Sequence, residues 1–112
     1  MKNDLEITTM GGSSDLVLCM LKALANNDRL NILCHLTKAE LNVSQIEQIT
    51  GIKQPTLSQQ LMILRKSNVV STRRDGKQIY YAIKDQHMIV LLHTLCQLYG
   101  QQAEKTRLDQ AS

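Results

Sequence analysis

The chain has 112 residues, of which 43% are apolar, and a formal charge of +3 at pH 7. This length suits one small domain, and the apolar fraction together with a single proline excludes a disordered chain. Because Trp and Phe are both absent, the core must be aliphatic, which favours helices packed on helices and makes a dimer a reasonable expectation. The weak positive charge permits nucleic-acid binding without requiring it.

The expected compartment is the cytoplasm. No apolar run is long enough to cross a bilayer, and no basic-then-apolar signal follows Met1, so we expect no membrane partner. The three cysteines are then reduced at rest, and a disulfide would act as a switch rather than as a structural staple.

Apolar periodicity predicts one folded domain over residues 15–102, between a flexible arm at 1–14 and a polar tail at 103–112. Apolar residues recur at three- and four-residue steps from Leu16 to Leu24 and again from Leu30 to Leu36, which predicts two helices. The pattern breaks before Asn27 and Asp28, and either short polar side chain would cap the second helix.

A third, short helix is predicted from about Val43, because Ser44 and Glu47 have the spacing of a capping box. Gly51 follows, where a helix C-terminus favours a left-handed residue. A fourth helix is predicted at Gln54-Pro55, with Pro55 in its first position. Two helices joined by this glycine turn form a helix-turn-helix.

The period changes after the fourth helix. Val69-Val70 leads into a predicted strand, Asp75-Gly76 is a strong hairpin signal, and residues 78–83 form a second predicted strand. Helical spacing returns from about Gln86 to Gln102. The expected architecture is therefore mainly α with a small β-hairpin wing, in the order α-α-α-α-β-β-α, which is a winged helix-turn-helix.

Polar side chains at the start of the fourth helix lie close in sequence to basic side chains around the hairpin tip. In helix-turn-helix proteins the second helix enters the major groove and its N-terminal residues contact base edges. Amides pair with adenine, hydroxyls reach bases or phosphates, and cations bind the DNA backbone. Alone, each feature describes an ordinary solvated surface, but together they predict DNA binding by Gln54, Thr56, Ser58, Gln59, Gln60, Arg73, Arg74 and Lys77, with Arg65 and Lys66 as weaker phosphate ligands.

Three stretches resemble the ArsR/SmtB family of dimeric bacterial repressors: LKALANNDRLNIL, VSQIEQITGIKQPTLSQQLMILRKSNVV and RRDGKQIYYAI. The resemblance spans about residues 15–102, and QPTLSQQL followed by RR…KQIYY is most similar to the biofilm growth-associated and sulfide-responsive branch. This resemblance implies a homodimer formed by the first and last helices. It also implies double-stranded operator DNA as a partner, and release of that DNA when an inducer is sensed.

Members of this family sense metals or reactive thiol chemistry. The family's third-helix metal site uses cysteines, and Asn42 and Ser44 occupy the matching stretch here. Its last-helix site begins with a D-x-H motif, but the second half of that site falls on Leu98 and Gln101, which are poor zinc ligands. The resemblance therefore implies neither metal site in full.

An irregular metal site stays open as an alternative. Asp85 and His87 match the D-x-H motif, while His93 and Cys96 lie three residues apart on one helix face. These residues would make the chain a zinc- or nickel-responsive repressor of the same fold. Without a ligand role, the histidines are exposed, solvated positions.

Cys34 matches the first sensing cysteine of the sulfur-responsive branch. The second would fall on Gly100, and Cys96 lies one helical turn earlier, about 5.4 Å away on the same face. A disulfide needs Cα atoms within roughly 7 Å, so a bridge of several sulfurs would suit a longer gap. The resemblance implies that Cys34 and Cys96 are linked by reactive sulfur species or by an oxidant, whereas Cys19 is expected to pack at the dimer interface.

The predicted function is thus a DNA-binding repressor that releases its operator when a thiol pair is oxidised or persulfidated. Reactivity would require a depressed thiol pKa. A regulator with no inducer, whose cysteines simply pack in the core, is a further alternative. No nucleophile, base and orienting group occur together in a motif, so neither an enzyme nor a cofactor is expected.

Overall fold

The computed structural model describes residues 14–100. The predicted polar tail and all but the last residue of the predicted arm lie outside the described residues, as does the end of the predicted last helix. The described chain consists of α1 (Ser14–Leu24), α2 (Asn27–Leu36), β1 (Leu41–Asn42), α3 (Val43–Thr50), α4 (Thr56–Lys66), β2 (Val70–Asp75), β3 (Gln78–Ile83), α5 (Gln86–Leu95) and a π-helical segment, Cys96–Gly100. This order confirms the predicted winged helix-turn-helix.

The wing has one strand more than predicted. Strand β3 lies in the middle of an antiparallel sheet with the order β1-β3-β2. Leu41 pairs with Tyr81 on one side of β3, and Val70 pairs with Ile83 on the other. The hairpin turn was predicted correctly, since Gly76 has φ 64°. A strand of two residues is too short to show a period, so periodicity does not predict β1.

The cap of α3 also differs from the prediction. Asn42 and Gln45 form the capping box, in place of Ser44 and Glu47. The Gln45 amide N–H donates to Asn42 Oδ1 at 2.8 Å, and the Asn42 N–H donates to Gln45 Oε1 at 2.9 Å. Because Asn42 is both the last residue of β1 and this cap, the helix start is tied directly to the wing. The predicted C-terminal turn is confirmed, with φ 76° at Gly51.

Two further helix starts are displaced by one residue. Asn26, rather than Asn27 or Asp28, caps α2, because its side chain accepts a hydrogen bond from a first-turn N–H. Pro55 precedes α4 and occupies the N-cap position, where it provides no side-chain acceptor. Such displacements follow from competition between neighbouring polar residues for the same first-turn N–H groups.

The core is aliphatic apart from Tyr81 and Met88. Helices α2 and α4 supply its centre, with α3, α5 and the sheet packed around them. Each fully buried Val, Leu, Ile or Met side chain stabilises the fold by about 1.5–3 kcal/mol relative to an exposed one. The buried residues are Ala23, Leu24, Ile32, Leu33, Leu36, Ile46, Ile52, Leu57, Leu61, Leu64, Val69, Val70, Tyr81, Met88 and Leu92.

Large apolar side chains remain exposed on the first and last helices. They comprise Leu16, Val17, Leu18 and Leu21 on α1, and Val90, Leu91 and Leu98 on α5 and the segment after it. Other large apolar side chains are exposed singly, among them Ile49, Met62 and Ile79, but these seven are concentrated on two helices. A concentration of this kind marks an interaction surface. None of the helices within residues 14–100 has the length and apolarity needed to cross a membrane.

Candidate functional site

The helix-turn-helix presents the polar face of α4 because its opposite face is anchored in the core. Leu57 and Leu64 are fully buried and Leu61 nearly so. These three residues occupy one helix face at three- and four-residue spacing, so the opposite face of the helix points outward. Ser58 and Gln59 are exposed, and Thr56 is half-buried at the start of the helix.

Gln54 supplies the cap that Pro55 lacks. Its Oε1 accepts hydrogen bonds from the Ser58 N–H at 3.0 Å and from the Ser58 Oγ at 2.7 Å. Both side chains remain exposed. The Gln54 amide N–H₂ is therefore held at the helix start with its donors directed away from the cap, and the neighbouring Gln59 lies on the same exposed turn.

Gln60 was predicted to contact DNA, but it lies on the inner side of α4. It is half-buried, and its Oε1 accepts a hydrogen bond from Arg29 Nη1 at 2.9 Å. This contact joins α4 to the start of α2. Sequence reasoning missed Arg29 because 31 residues separate the two side chains.

Arg73 is held in the middle of strand β2 of the wing, opposite Tyr80. Its guanidinium forms a bidentate ion pair with Glu40, in which Nε donates to both carboxylate oxygens at 2.9 Å, and it stacks 4.5 Å from the centroid of the Tyr80 ring. The hydrogen bond from Arg73 lowers the pKa of Glu40, and the same bond raises the pKa of Arg73. Glu40, which the sequence did not single out, thus neutralises a predicted DNA-binding cation.

The other predicted cations are accessible. Arg65 at the end of α4, Arg74 on β2 and Lys77 in the hairpin turn are all exposed. Within residues 14–100 none of these three forms an ion pair. They place positive charge at the end of α4 and along the hairpin of the wing, and cations of this kind bind DNA phosphates.

Cys34 and Cys96 are in contact. Their Sγ atoms lie 3.3 Å apart and both thiols are free. Cys34 is half-buried on α2, whereas Cys96 is exposed at the first position of the π-helical segment. The offset of Cys96 from the position of Gly100 therefore does not separate the two sulfurs. Cys19 is exposed on α1.

The environment of Cys34 raises its thiol pKa to about 11. Burial is the main cause, the hydrogen bond and the charge of Cys96 add to it, and Lys38 opposes it. The depressed pKa that the sequence reasoning required for reactivity is therefore absent at Cys34, which stays protonated near pH 7. The exposed Cys96 is the thiol that a reagent in solution meets first.

The candidate metal ligands do not converge. Asp85 caps α5, since its Oδ1 accepts the His87 N–H at 3.0 Å and lies 3.1 Å from His87 Nδ1. The His87 side chain is 95% exposed, and His93 is exposed on the same helix. Across the described residues, no three His, Cys, Asp or Glu side chains group in a way that would hold a metal ion.

The sequence profile of the arsR family of bacterial regulatory proteins matches residues 26–72. The biofilm growth-associated repressor of Xylella fastidiosa strain Temecula1 is 41% identical over 86 residues, which cover 77% of this chain and 75% of the relative. The chain belongs to the arsR family. The transcriptional activator HlyU of Vibrio cholerae is 32% identical over 97 residues, covering 87% of this chain and 90% of that relative.

A solved structure has the same fold. The homodimeric winged helix-turn-helix DNA-binding domain of a Mycobacterium bovis regulator superposes with a TM-score of 0.73 at 32% identity, covering 84% of this chain and 87% of that one. These relatives are regulators of transcription and not enzymes. The chain is accordingly a DNA-binding transcriptional regulator, which confirms the predicted class of protein.

Proposed function

We propose that this arsR-family regulator is a homodimeric repressor that binds double-stranded operator DNA and releases it when Cys34 and Cys96 become covalently linked. The contact of 3.3 Å between the two Sγ atoms carries this proposal. A relative that is 41% identical is named a repressor, which supports the direction of regulation.

The dimer forms through the exposed apolar side chains of α1 and α5. Leu18, Leu21 and Val90 are 52%, 51% and 63% exposed in the single chain, which is unusual beside a core in which many aliphatic side chains are below 5%. A structural neighbour is described as homodimeric. Two copies related by a twofold axis would bury these faces and present two α4 helices to one side.

The DNA-reading surface combines the exposed start of α4 with the free cations around it. Gln54, Ser58 and Gln59 supply donors and acceptors for base edges, and Thr56 lies at the helix N-terminus, which favours a phosphate. Arg65, Arg74 and Lys77 bind the DNA backbone. Gln60 and Arg73 act indirectly, because Arg29 and Glu40 already hold them.

Linkage begins at the exposed Cys96. Its thiolate attacks the terminal sulfur of a low-molecular-weight persulfide, which gives the Cys96 persulfide and releases a thiol. Cys34 then loses its proton and attacks Sγ of Cys96, so that a Cys34–Cys96 disulfide forms and hydrosulfide leaves. With peroxide, Cys96 becomes a sulfenic acid and water leaves in the second step.

The gap between the sulfurs suits either of two bridges. A disulfide has an S–S length of about 2.05 Å, so the two Sγ atoms would approach each other by roughly 1.3 Å. One additional sulfur between the same atoms spans about 3.3 Å at ordinary S–S lengths, which equals the observed separation. Two persulfidated cysteines would form this trisulfide with loss of hydrogen sulfide.

Release of DNA follows from the geometry of a dimer. Half-sites lie about one helical turn apart, so a small rotation of both reading helices weakens two contacts at once. The coupling required is ordinary, on the order of 1–3 kcal/mol. A covalent bond between α2 and the segment after α5 changes the orientation of the reading helix α4 relative to the proposed dimer interface.

Peptide mapping under non-reducing conditions tests this proposal. The reduced protein is treated with an organic polysulfide or with peroxide, and DNA binding is measured in parallel for the wild type, Cys34→Ser and Cys19→Ser. We expect a Cys34–Cys96 peptide and loss of DNA affinity in the wild type and in Cys19→Ser, and neither in Cys34→Ser. A full response of Cys34→Ser, or unmodified cysteines after both treatments, would overturn the sensing mechanism.

A further inference from the structure

The Arg29 side chain makes three hydrogen bonds that join separate helices. Its guanidinium reaches three acceptors on two other helices: Nε donates to the Ala23 carbonyl at 2.8 Å, Nη2 donates to the Lys22 carbonyl at 3.1 Å, and Nη1 donates to Gln60 Oε1 at 2.9 Å. None of these contacts belongs to the DNA surface or to the thiol pair.

The two carbonyls lie in the last turn of α1, whose carbonyls lack the regular helical partners. The Lys22 carbonyl also accepts the Ala25 N–H at 3.3 Å. A cation at this end also faces the negative pole of the helix dipole. The Arg29 guanidinium therefore caps the C-terminus of α1. The same group also donates a hydrogen bond to Gln60 on α4. Since the guanidinium is a rigid fork, its three bonds fix α1 and α4 relative to each other.

We propose that Arg29 is a positioning residue that sets the reading helix α4 relative to α1 through Gln60, and that it passes the state of the thiol pair to α4. This inference rests on the proposed function, in which α1 forms the dimer interface. Arg29 and Cys34 lie on the same ten-residue helix, about 7.5 Å apart along its axis. Any displacement of α2 by a bridge at Cys34 is therefore applied to the Arg29–Gln60 bond.

The test uses Arg29→Lys, Gln60→Met and the double variant. Lysine keeps the charge but loses the fork, and methionine keeps the length of glutamine but loses the acceptor. Lys22→Gln is the matched control, because it removes a nearby charge while leaving the carbonyl that Arg29 binds. The DNA probes are a duplex selected from a random pool by the reduced wild-type protein, and a random-sequence duplex of equal length.

We expect each single variant to bind the selected duplex about tenfold more weakly, which corresponds to 1.4 kcal/mol. The double variant should be no weaker than either single variant, because both remove the same link. Affinity for the random duplex and the salt slope should stay unchanged, whereas a lost phosphate contact would reduce the slope by about 1. The ratio of reduced to oxidised affinity should fall at least threefold, and Lys22→Gln should behave as the wild type.

Additive losses, a changed salt slope, or an unchanged ratio of reduced to oxidised affinity would overturn the role of Arg29. Hydrogen exchange of the α4 amides provides a readout without DNA. We expect both single variants to accelerate it equally, with no further effect in the double variant, and equal protection in all proteins would refute the link. If the wild type selects no duplex or keeps its affinity after oxidation, the proposed function fails, while hydrogen exchange still decides whether Arg29 holds α4.

Discussion

Replacement of Glu40 by glutamine should convert Arg73 from a paired cation into a DNA ligand. In the native protein the Glu40 carboxylate occupies the edge of the Arg73 guanidinium formed by Nε and Nη2. Each phosphate contact contributes about 0.9 to the slope of log affinity against log salt. One additional contact steepens the slope by that amount, and at 0.15 M salt it strengthens binding about fivefold.

The assay is fluorescence anisotropy with a random duplex at several salt concentrations, which isolates the contribution of the phosphate backbone. Arg73→Gln and Arg74→Gln are a matched pair of variants on neighbouring residues of β2. Arg74 is exposed and forms no ion pair among the described residues. Its loss should therefore reduce the slope by about 0.9, whereas the loss of Arg73 should change it little.

The opposite pattern would refute this reasoning. If Arg73→Gln reduces the slope as much as Arg74→Gln, Arg73 already leaves Glu40 in the complex and binds a phosphate. The slope for Glu40→Gln would then equal that of the wild type. Either result identifies which wing cation contacts DNA, and neither depends on the state of the thiols.

Three other predictions concern the fold and the thiol pair. Gly51→Ala should lower the free energy of unfolding in urea by about 1 kcal/mol. A Cβ at this position meets no atom within 4 Å, so the cost is the strain of the left-handed backbone, partly offset by the lower entropy of the unfolded chain. Unchanged stability would contradict the strained turn. Leu57→Ala, at a residue with 0% exposure, should cost about 2–5 kcal/mol, while Met62→Ala on the exposed side of the same helix should stay within about 0.5 kcal/mol. The rate of Cys34 alkylation should rise with pH to a midpoint at about 11, the raised pKa of this thiol, rather than at the ordinary value of 9.0. Cys96→Ala should lower the midpoint, because Cys96 contributes to the raised pKa. An equal midpoint in the wild type and the variant would mean that burial alone raises the pKa of Cys34.

The helices, the glycine turn and the hairpin could be predicted because their signals are local. Gly51 and Gly76 adopt the positive φ that their neighbouring sequence predicted. Strand β1 could not be predicted, since its two residues become a strand only by pairing with β3. The division into arm, domain and tail stays a prediction, because most of the arm and all of the tail lie outside the described residues.

The candidate site shows the same limit. The polar start of α4 and the basic wing are visible in one continuous stretch of sequence. The bonds that decide which of these side chains are free are long-range: Arg29 to Gln60 spans 31 residues and Glu40 to Arg73 spans 33. The pairing of Cys34 with Cys96 spans 62 residues and was expected only from the family resemblance. Periodicity predicts which face of a helix a residue occupies, but it does not predict which distant side chain binds to that residue.

The positions of these bonds separate two contributions to DNA binding. Cys34 and Arg29 share α2, so a bridge between the thiols acts on α4 and on the base edges that it reads. The wing packs against α2 through β3, but its cations are set by Glu40 and by the strand pairing, and neither of these includes a residue of α2. Oxidation should therefore abolish preference for the selected duplex while affinity for a random duplex and its salt slope persist. Equal loss of both affinities would instead mean that the bridge disrupts the dimer or the fold as a whole, and size-exclusion chromatography of the oxidised protein would distinguish these causes.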